Sequence, residues 1–268
     1  MNALAYLTVF NVGIQNTFVY RWNFFLRTLF SLIPLAATIL IWQRILVDRG
    51  QDIGSYDGSR IIFYFLLILL VENLVTPTED EFQIATEIRE GHINALLSKP
   101  VDYLWYRATL FLSGRLLYTG VAIIPIAAIF FWFRRTLEWP ADPSVWALTA
   151  VSLLMAAALQ FFISFALAML AFWILEISTV VFLLYSFEYY LSGRLFPINV
   201  MPEWLQRVIE WTPFPYELYF PVAIFMGEVQ GEALWRGMAI QAGWVLFFFV
   251  AARWMWFKGV RHYESVGG

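Results

Sequence analysis

Long apolar runs separated by short polar punctuation dominate the chain. A helix that crosses a bilayer needs about 20 mostly apolar residues. Runs at residues 24–45, 61–75, 103–133, 145–175 and 235–257 meet or approach that length. The run at 61–75 is short but extends upstream, while those at 103–133 and 145–175 are long enough to tilt or to project. A further run, 177–191, is marginal for crossing and counts as the fifth span in chain order. It ends in Ser192-Gly193-Arg194-Leu195-Phe196-Pro197, which stops any helix. The backbone beyond it needs partners inside the protein, because lipid offers no hydrogen bonds. The pattern predicts an all-α integral membrane protein with six transmembrane helices, forming a single membrane domain over 1–268.

Ahead of the first span, Thr8, Asn11 and Gln15 fall at i, i+3 and i+7, one polar stripe on an apolar helix. That suits a helix lying in the membrane interface over residues 1–22. A ragged extension of the first span is the other reading. The first positive charge is Arg21, so no basic segment precedes an apolar core and a secretory signal is not expected.

The most charged stretch, residues 76–102, lies between the second and third spans. Thr76-Pro77-Thr78-Glu79 offers Thr as N-cap, Pro at the first helical position and Glu at the third, predicting a helix over 77–90. Gly91 stops it, and a second short helix over 92–99 is halted by Pro100. Ile84 and Ile88 share a face, while Glu79, Asp80, Glu81, Glu87, Arg89 and Glu90 are charged. The expectation is a hairpin projecting from the membrane with a mixed acidic face. It is a solvated loop or a docking element, and the agreeing start, break and stop signals favour the latter.

Residues 196–233 read as neither span nor ordinary loop. Pro202 opens about three helical turns that end at Trp211; Pro213 and Pro215 break them, and a second aromatic segment closes at Gly227. Trp and Tyr favour the membrane boundary. Two short helices there, after a marginal span, make either a re-entrant lid or a surface-lying loop. Phe196, Pro197, Trp204 and Trp211 are the candidate residues of an outer gate.

Composition narrows the classes. The chain is 61% hydrophobic and 14% charged, where a soluble domain carries about 25% charged residues. A soluble enzyme and a disordered chain are excluded. A net charge of −3 gives no footprint for nucleic acid. Cysteine is absent, which removes thiolate metal sites and thiol nucleophiles. With both termini inside, nine Lys/Arg fall on the inner side and eight on the outer, so charge does not orient the chain. Lys99 precedes Pro100 and Lys258 precedes Gly259, so no phosphate-binding Gly-Lys-Ser/Thr loop occurs. His92 and His262 have no neighbouring Cys or His, and no metal site is expected.

Ionisable groups inside spans are expensive and usually face protein or a cavity. Glu72, Glu188, Arg27 and Arg115 are such groups. Glu72 is expected to pair with Arg107 at similar depth, or to take part in a substrate role. Tyr64, Ile68 and Glu72 share a face at i, i+4 and i+8 that a cavity could use, and Tyr185 and Glu188 are the path-lining candidates on the fifth span. No ladder of ionisable groups for a proton relay is apparent.

Three stretches together resemble the permease subunits of ATP-binding-cassette type 2 (ABC-2) exporters. They are Glu87-Ile88-Arg89-Glu90-Gly91-His92-Ile93-Asn94-Ala95-Leu96-Leu97-Ser98-Lys99-Pro100-Val101; the run from Leu191 to Pro197 followed by Met201-Pro202-Glu203-Trp204-Leu205; and Trp211-Thr212-Pro213-Phe214 continuing to Pro221 and Gly227. Each is loose alone, and their order and spacing carry the likeness. The branch is similar to drug-, viologen- and daunorubicin-type exporters.

The resemblance implies a permease of the bacterial cytoplasmic membrane with both termini and the 76–102 loop in the cytoplasm. It implies a second permease copy or a paralogue, and separate ATPase subunits that hold ATP and Mg, with no cofactor in this chain. Glu87, Arg89, Glu90, Gly91, His92, Leu96 and Leu97 would couple to the ATPase. The path would be lined by the first, second and fifth spans, within membrane lipid. Its substrate would be amphipathic: a drug, a lipid or a glycoconjugate. The rival readings are a membrane-embedded lipid-modifying enzyme and a non-transporting scaffold or sensor that docks a cytoplasmic partner.

Overall fold

The computed structural model describes residues 3–49, 52–76, 80–134 and 137–263. Among them the regular secondary structure is helical, apart from one isolated bridge between Ile53 and Tyr56. In order, the helices are α1 (Ala3–Phe18), α2 (Arg21–Arg49), α3 (Gly58–Val75), α4 (Asp80–Arg89), α5 (Asn94–Leu97) and α6 (Tyr103–Trp132). Then come α7 (Pro143–Met169), α8 (Ser178–Leu191), α9 (Glu203–Glu210), α10 (Tyr219–Phe225) and α11 (Gly231–His262). Short 3-10 turns at Leu170–Phe172, Ile198–Val200 and Phe214–Tyr216 link several of them.

Three of the long helices begin on an aspartate. Asp57 accepts from the Ser59 and Arg60 amides at 2.8 Å each, Asp102 from Trp105 at 3.2 Å, and Asp142 from Ser144 at 2.8 Å with Pro143 next to it. Each carboxylate satisfies amides that have no partner within the helix and faces the positive end of its dipole. At Asp142 the Ser144 amide holds the carboxyl below its ordinary range.

Helices α3 and α7 form the centre. Both are apolar nearly all round, and their buried residues dominate the largest core clusters. Helices α2, α6 and α11 pack around them and leave most of their apolar surface exposed, as helices do when lipid is the solvent. Among the described residues, five helical stretches are long and apolar enough to cross a membrane. Helix α8 is not one of them: its 14 residues reach about 21 Å at 1.5 Å per residue, against a hydrocarbon core of about 30 Å.

The chain beyond α8 finds its hydrogen bonds inside the protein. The Ser192 carbonyl accepts from the Tyr219 amide at 3.0 Å, that of Gly193 from the Tyr64 hydroxyl at 2.6 Å, and that of Leu195 from the Trp42 indole at 3.1 Å. Gly193 sits at φ +88°, and a Cβ there would lie 2.8 Å from both the Tyr219 Cβ and the Tyr64 Oη. Only glycine fits this turn.

Several expectations change. The N-terminal helix is not an extension of the first span: the chain turns at Val19-Tyr20, and α1 is a separate helix whose Thr8, Asn11 and Gln15 stripe is exposed. The surface-loop reading of the outer segment fails at α10, where every residue from Phe220 to Phe225 is buried, against α3 and α7 among others. Helix α9 is the exposed member, and Pro202 stands just before it as N-cap rather than inside it. The expected start of the hairpin at Pro77, Thr78 and Glu79 lies outside the described residues. Thr76 is the C-cap of α3, extended at ψ 127°. The hairpin does not project with an acidic face: α4 lies along α7, with Glu81, Ile84 and Ile88 buried.

Tyr64 supplies the donor that a broken span lacks. Tyr64→Phe should lower stability by about 1–3 kcal/mol, the cost of leaving a buried acceptor unsatisfied, read as a lower denaturation midpoint of the purified protein in detergent. An unchanged midpoint would mean that the Gly193 carbonyl is satisfied otherwise.

Candidate functional site

Helix α4 is held by its apolar face and by three polar ties. Ile84 and Ile88, with Ile93 after the Gly91 turn, pack into a cluster with Tyr103, Phe161, Phe165 and Met169. Glu81 accepts from the Ser164 hydroxyl of α7 at 2.7 Å. Glu87 accepts from the Tyr103 hydroxyl at 2.8 Å and lies 3.1 Å from the Arg107 guanidinium, both on α6. Arg89 donates to the Leu175 carbonyl at 2.5 Å and lies 3.9 Å from Glu176. Leu175 and Glu176 form the loop that leads into α8. Glu176 in turn caps α8 by accepting from the Ser178 amide at 3.1 Å, and that bond, with Arg89 adding to it, holds its carboxyl below the ordinary range. The cap is therefore complete at neutral pH and is lost as pH falls through that lowered value. One ten-residue helix thus grips α6, α7 and the start of α8.

The other side of the hairpin is bare. Glu90 and His92 are exposed, Leu97 is 41% exposed, and Leu96 is half-buried. Gly91 makes the turn at φ +79°. The coupling candidates therefore divide: Glu87 and Arg89 bond inward, while Glu90, His92 and Leu97 face outward.

From Ser164 a polar stripe runs along α7. Ser152, Ala156, Gln160, Ser164 and Ala168 recur every fourth residue and are fully buried. The Gln160 amide donates to Glu188 of α8 and to Glu217 of the outer segment, 2.8 Å each. About two turns further, the Ser152 hydroxyl donates to the Gln241 side chain at 3.0 Å. Gln241 itself donates to the carbonyls of Ser152 and Tyr216, both at 2.9 Å. Tyr185 lies beside Glu81 and Glu188. A ladder of buried polar groups, Ser and Gln on α7 with three carboxylates around them, is therefore present. Two of its carboxylates, Glu81 and Glu217, come from outside the apolar runs.

Glu72 does not pair with Arg107. Its carboxylate lies 2.7 Å from Arg194, in the broken stretch after α8, and Arg107 is taken by Glu87. Arg194 projects from a span end that apolar periodicity does not describe. Of the path-lining candidates, Tyr64 and Ile68 are enclosed in the core, Glu188 is buried in the ladder, and Glu72 is about one-third exposed. Of the gate candidates, Pro197 is buried, Phe196 is half-buried, and Trp204 and Trp211 are exposed.

A family model described as an ABC-2 family transporter protein matches residues 32–267. The chain belongs to the ABC-2 transporter family. Comparison with curated proteins gives no match. The matched stretch runs from within α2 past the end of α11, so hairpin, ladder and outer segment all lie inside the ABC-2 domain. This ABC-2 protein is a multi-pass membrane permease component of an ATP-binding-cassette transporter, and as such associates with ATPase subunits.

The Glu72–Arg194 pair ties α3 of the permease to the end of α8. Glu72→Gln and Arg194→Gln should each lower the denaturation midpoint, and the double variant should lose no more than the worse single one. Arg107→Gln should add to Glu72→Gln in full. Coupling of Glu72 with Arg107 instead would overturn the pairing.

Proposed function

We propose that this ABC-2 permease is the membrane half of a bacterial exporter. Two permease chains, identical or paralogous, form a path for an amphipathic substrate such as a drug, lipid or glycoconjugate. ATPase subunits holding ATP and Mg dock on the α4–α5 hairpin from the cytoplasm, where both termini also lie. The observation that carries this reading is the double-sided hairpin. Its outer side is free to meet a partner at Glu90, His92 and Leu97. Its inner side is bonded to α6, α7 and the α8 loop by Glu87, Glu81 and Arg89. A push on the hairpin is delivered to three spans at once.

Further features support the remaining parts. Helix α8 leaves Phe182, Leu183, Phe187 and Tyr190 exposed, an aromatic face suited to a second permease half. The outer segment rests on the same ladder through Glu217, so a shift of α7 or α8 moves the floor beneath α9 and α10. In this reading Trp204 and Trp211, both exposed on that segment, close the outer end of the path, and Glu72 lines it beside Arg194.

Arg89→Ala tests the inward side and Leu97→Asp the outward side. Arg89→Ala should leave ATPase assembly and hydrolysis intact and lower substrate transport in proteoliposomes roughly tenfold or more, the scale of one lost charged hydrogen bond. Leu97→Asp should instead reduce co-purification of the ATPase. Full transport in the first variant together with full assembly in the second would show that the hairpin is not the coupling element.

A further inference from the structure

A polar recess lies away from the ladder. A cavity of about 560 Å³ opens between α1, α2, α4 and α6, within the size range of small-molecule sites. Helix α1 packs along α6, closely enough that a Cβ on Gly13 would lie 2.2 Å from the Ser113 hydroxyl oxygen. The recess beside this contact is lined by Asn16, Asn23, Arg27, Arg107, Arg115 and Asp80, among others.

The charges in this recess do not balance. Arg27, Arg107 and Arg115 face Asp80 and Glu87. Glu87 is committed to Arg107 and to Tyr103. Arg115 is 8% exposed and donates one guanidinium nitrogen to the Asn73 carbonyl at 3.0 Å, but its buried Nη2 has no hydrogen-bond partner. Arg27 makes no ion pair or hydrogen bond among the described residues; Arg115 lies near the Asp80 carboxylate as well as near Arg27. Two neighbouring guanidinium groups, one with a buried unused donor, make a site for an anion. Their planar donor sets match phosphate oxygens.

The surroundings decide which phosphate. Asn23 and Arg27 share one face of α2 at i, i+4, and the exposed apolar Phe30 follows one turn on, beside Leu26. On the other side, α1 and its junction with α2 expose Leu4, Leu7, Phe18 and Trp22. A polar, cationic recess that gives way within one turn to exposed apolar side chains has the layout of an amphiphile. We propose that this cavity binds the anionic headgroup of a phospholipid, with Arg27 and Arg115 on its phosphate and the acyl chains along α2.

The test uses the full-length chain purified in a non-ionic detergent. Dioctanoyl phosphatidylglycerol, dioctanoyl phosphatidylcholine and inorganic phosphate are titrated separately, and binding is read from the shift in denaturation midpoint. Phosphatidylglycerol should saturate, and phosphatidylcholine and phosphate should bind at least tenfold more weakly. Arg27→Gln should weaken phosphatidylglycerol binding tenfold or more without lowering the midpoint of the lipid-free protein, since this side chain makes no ion pair or hydrogen bond among the described residues. Arg115→Gln should weaken phosphatidylglycerol binding as well, at a lower lipid-free midpoint because the bond to the Asn73 carbonyl is lost; Arg27→Gln suffices should that variant not fold. Arg134→Gln, on an arginine outside the cavity, should bind like the parent. Equal binding of the two lipids, or unchanged phosphatidylglycerol binding in Arg27→Gln, would overturn the proposal. Inorganic phosphate binding as tightly as phosphatidylglycerol would assign the site to a free anion and overturn the lipid.

Discussion

Lipid cannot satisfy a peptide group, and this chain contains a span that ends too soon. Helix α8 stops after 14 residues, and its trailing carbonyls at Ser192, Gly193 and Leu195 take their donors from α10, α3 and α2. Much of the outer half follows from that need. Helix α10 is drawn into the bundle because the Tyr219 amide at its start is one of the donors. Gly193 is fixed as glycine by the close approach of Tyr64 and Tyr219. Arg194, carried on the same broken stretch, reaches Glu72 and closes the arrangement with a charge pair. The segment that most resembles a loop in sequence is thereby built into the core.

The second constraint is the cost of buried charge. Glu81, Glu188 and Glu217 are each almost fully enclosed, and each is held by a partner from α7. Removing one member of such a group strands the others, so the stripe is a place where the helices are fixed in one register. It also gives the fold a continuous physical route. Arg89 and Glu81 fasten the hairpin to α8 and α7, Ser164 lies one turn from Gln160, and Gln160 bonds the outer segment through Glu217. A rigid route of this kind is what an ATP-driven membrane domain needs if force applied on one face is to act on the other.

Much of the fold is legible in the sequence because apolar periodicity is a strong signal. The long spans, the separate N-terminal helix and the Gly91 break all stand close to where hydrophobicity and helix-stop chemistry put them. The polar interior is harder to see. Gln160 and its serines recur every fourth residue on α7, a regularity that could have been noticed, but a long apolar run draws attention to its length rather than to its few polar positions. Glu217 and Arg194 were hidden for a different reason: they lie in a proline- and glycine-broken stretch whose path into the bundle no periodicity describes. Depth along neighbouring helices therefore pairs Glu72 with Arg107, while its actual partner comes from a segment with no helical register. On α4, the charges suggested a solvated face, and Ser164 was the unseen partner that let Glu81 go inside.

The central claim is that movement of the hairpin reaches the outer segment. The chain is free of cysteine, so spin labels can be placed at the exposed Trp132 and Trp204, one at the end of α6 and one on α9. The decisive measurement is the label-to-label distance distribution in the ATPase-bound complex, with and without ATP and Mg. The account predicts that nucleotide shifts this distribution, because α9 rides on α7 and α8 through Glu217. A distribution that stays the same while the ATPase binds and hydrolyses ATP would contradict it.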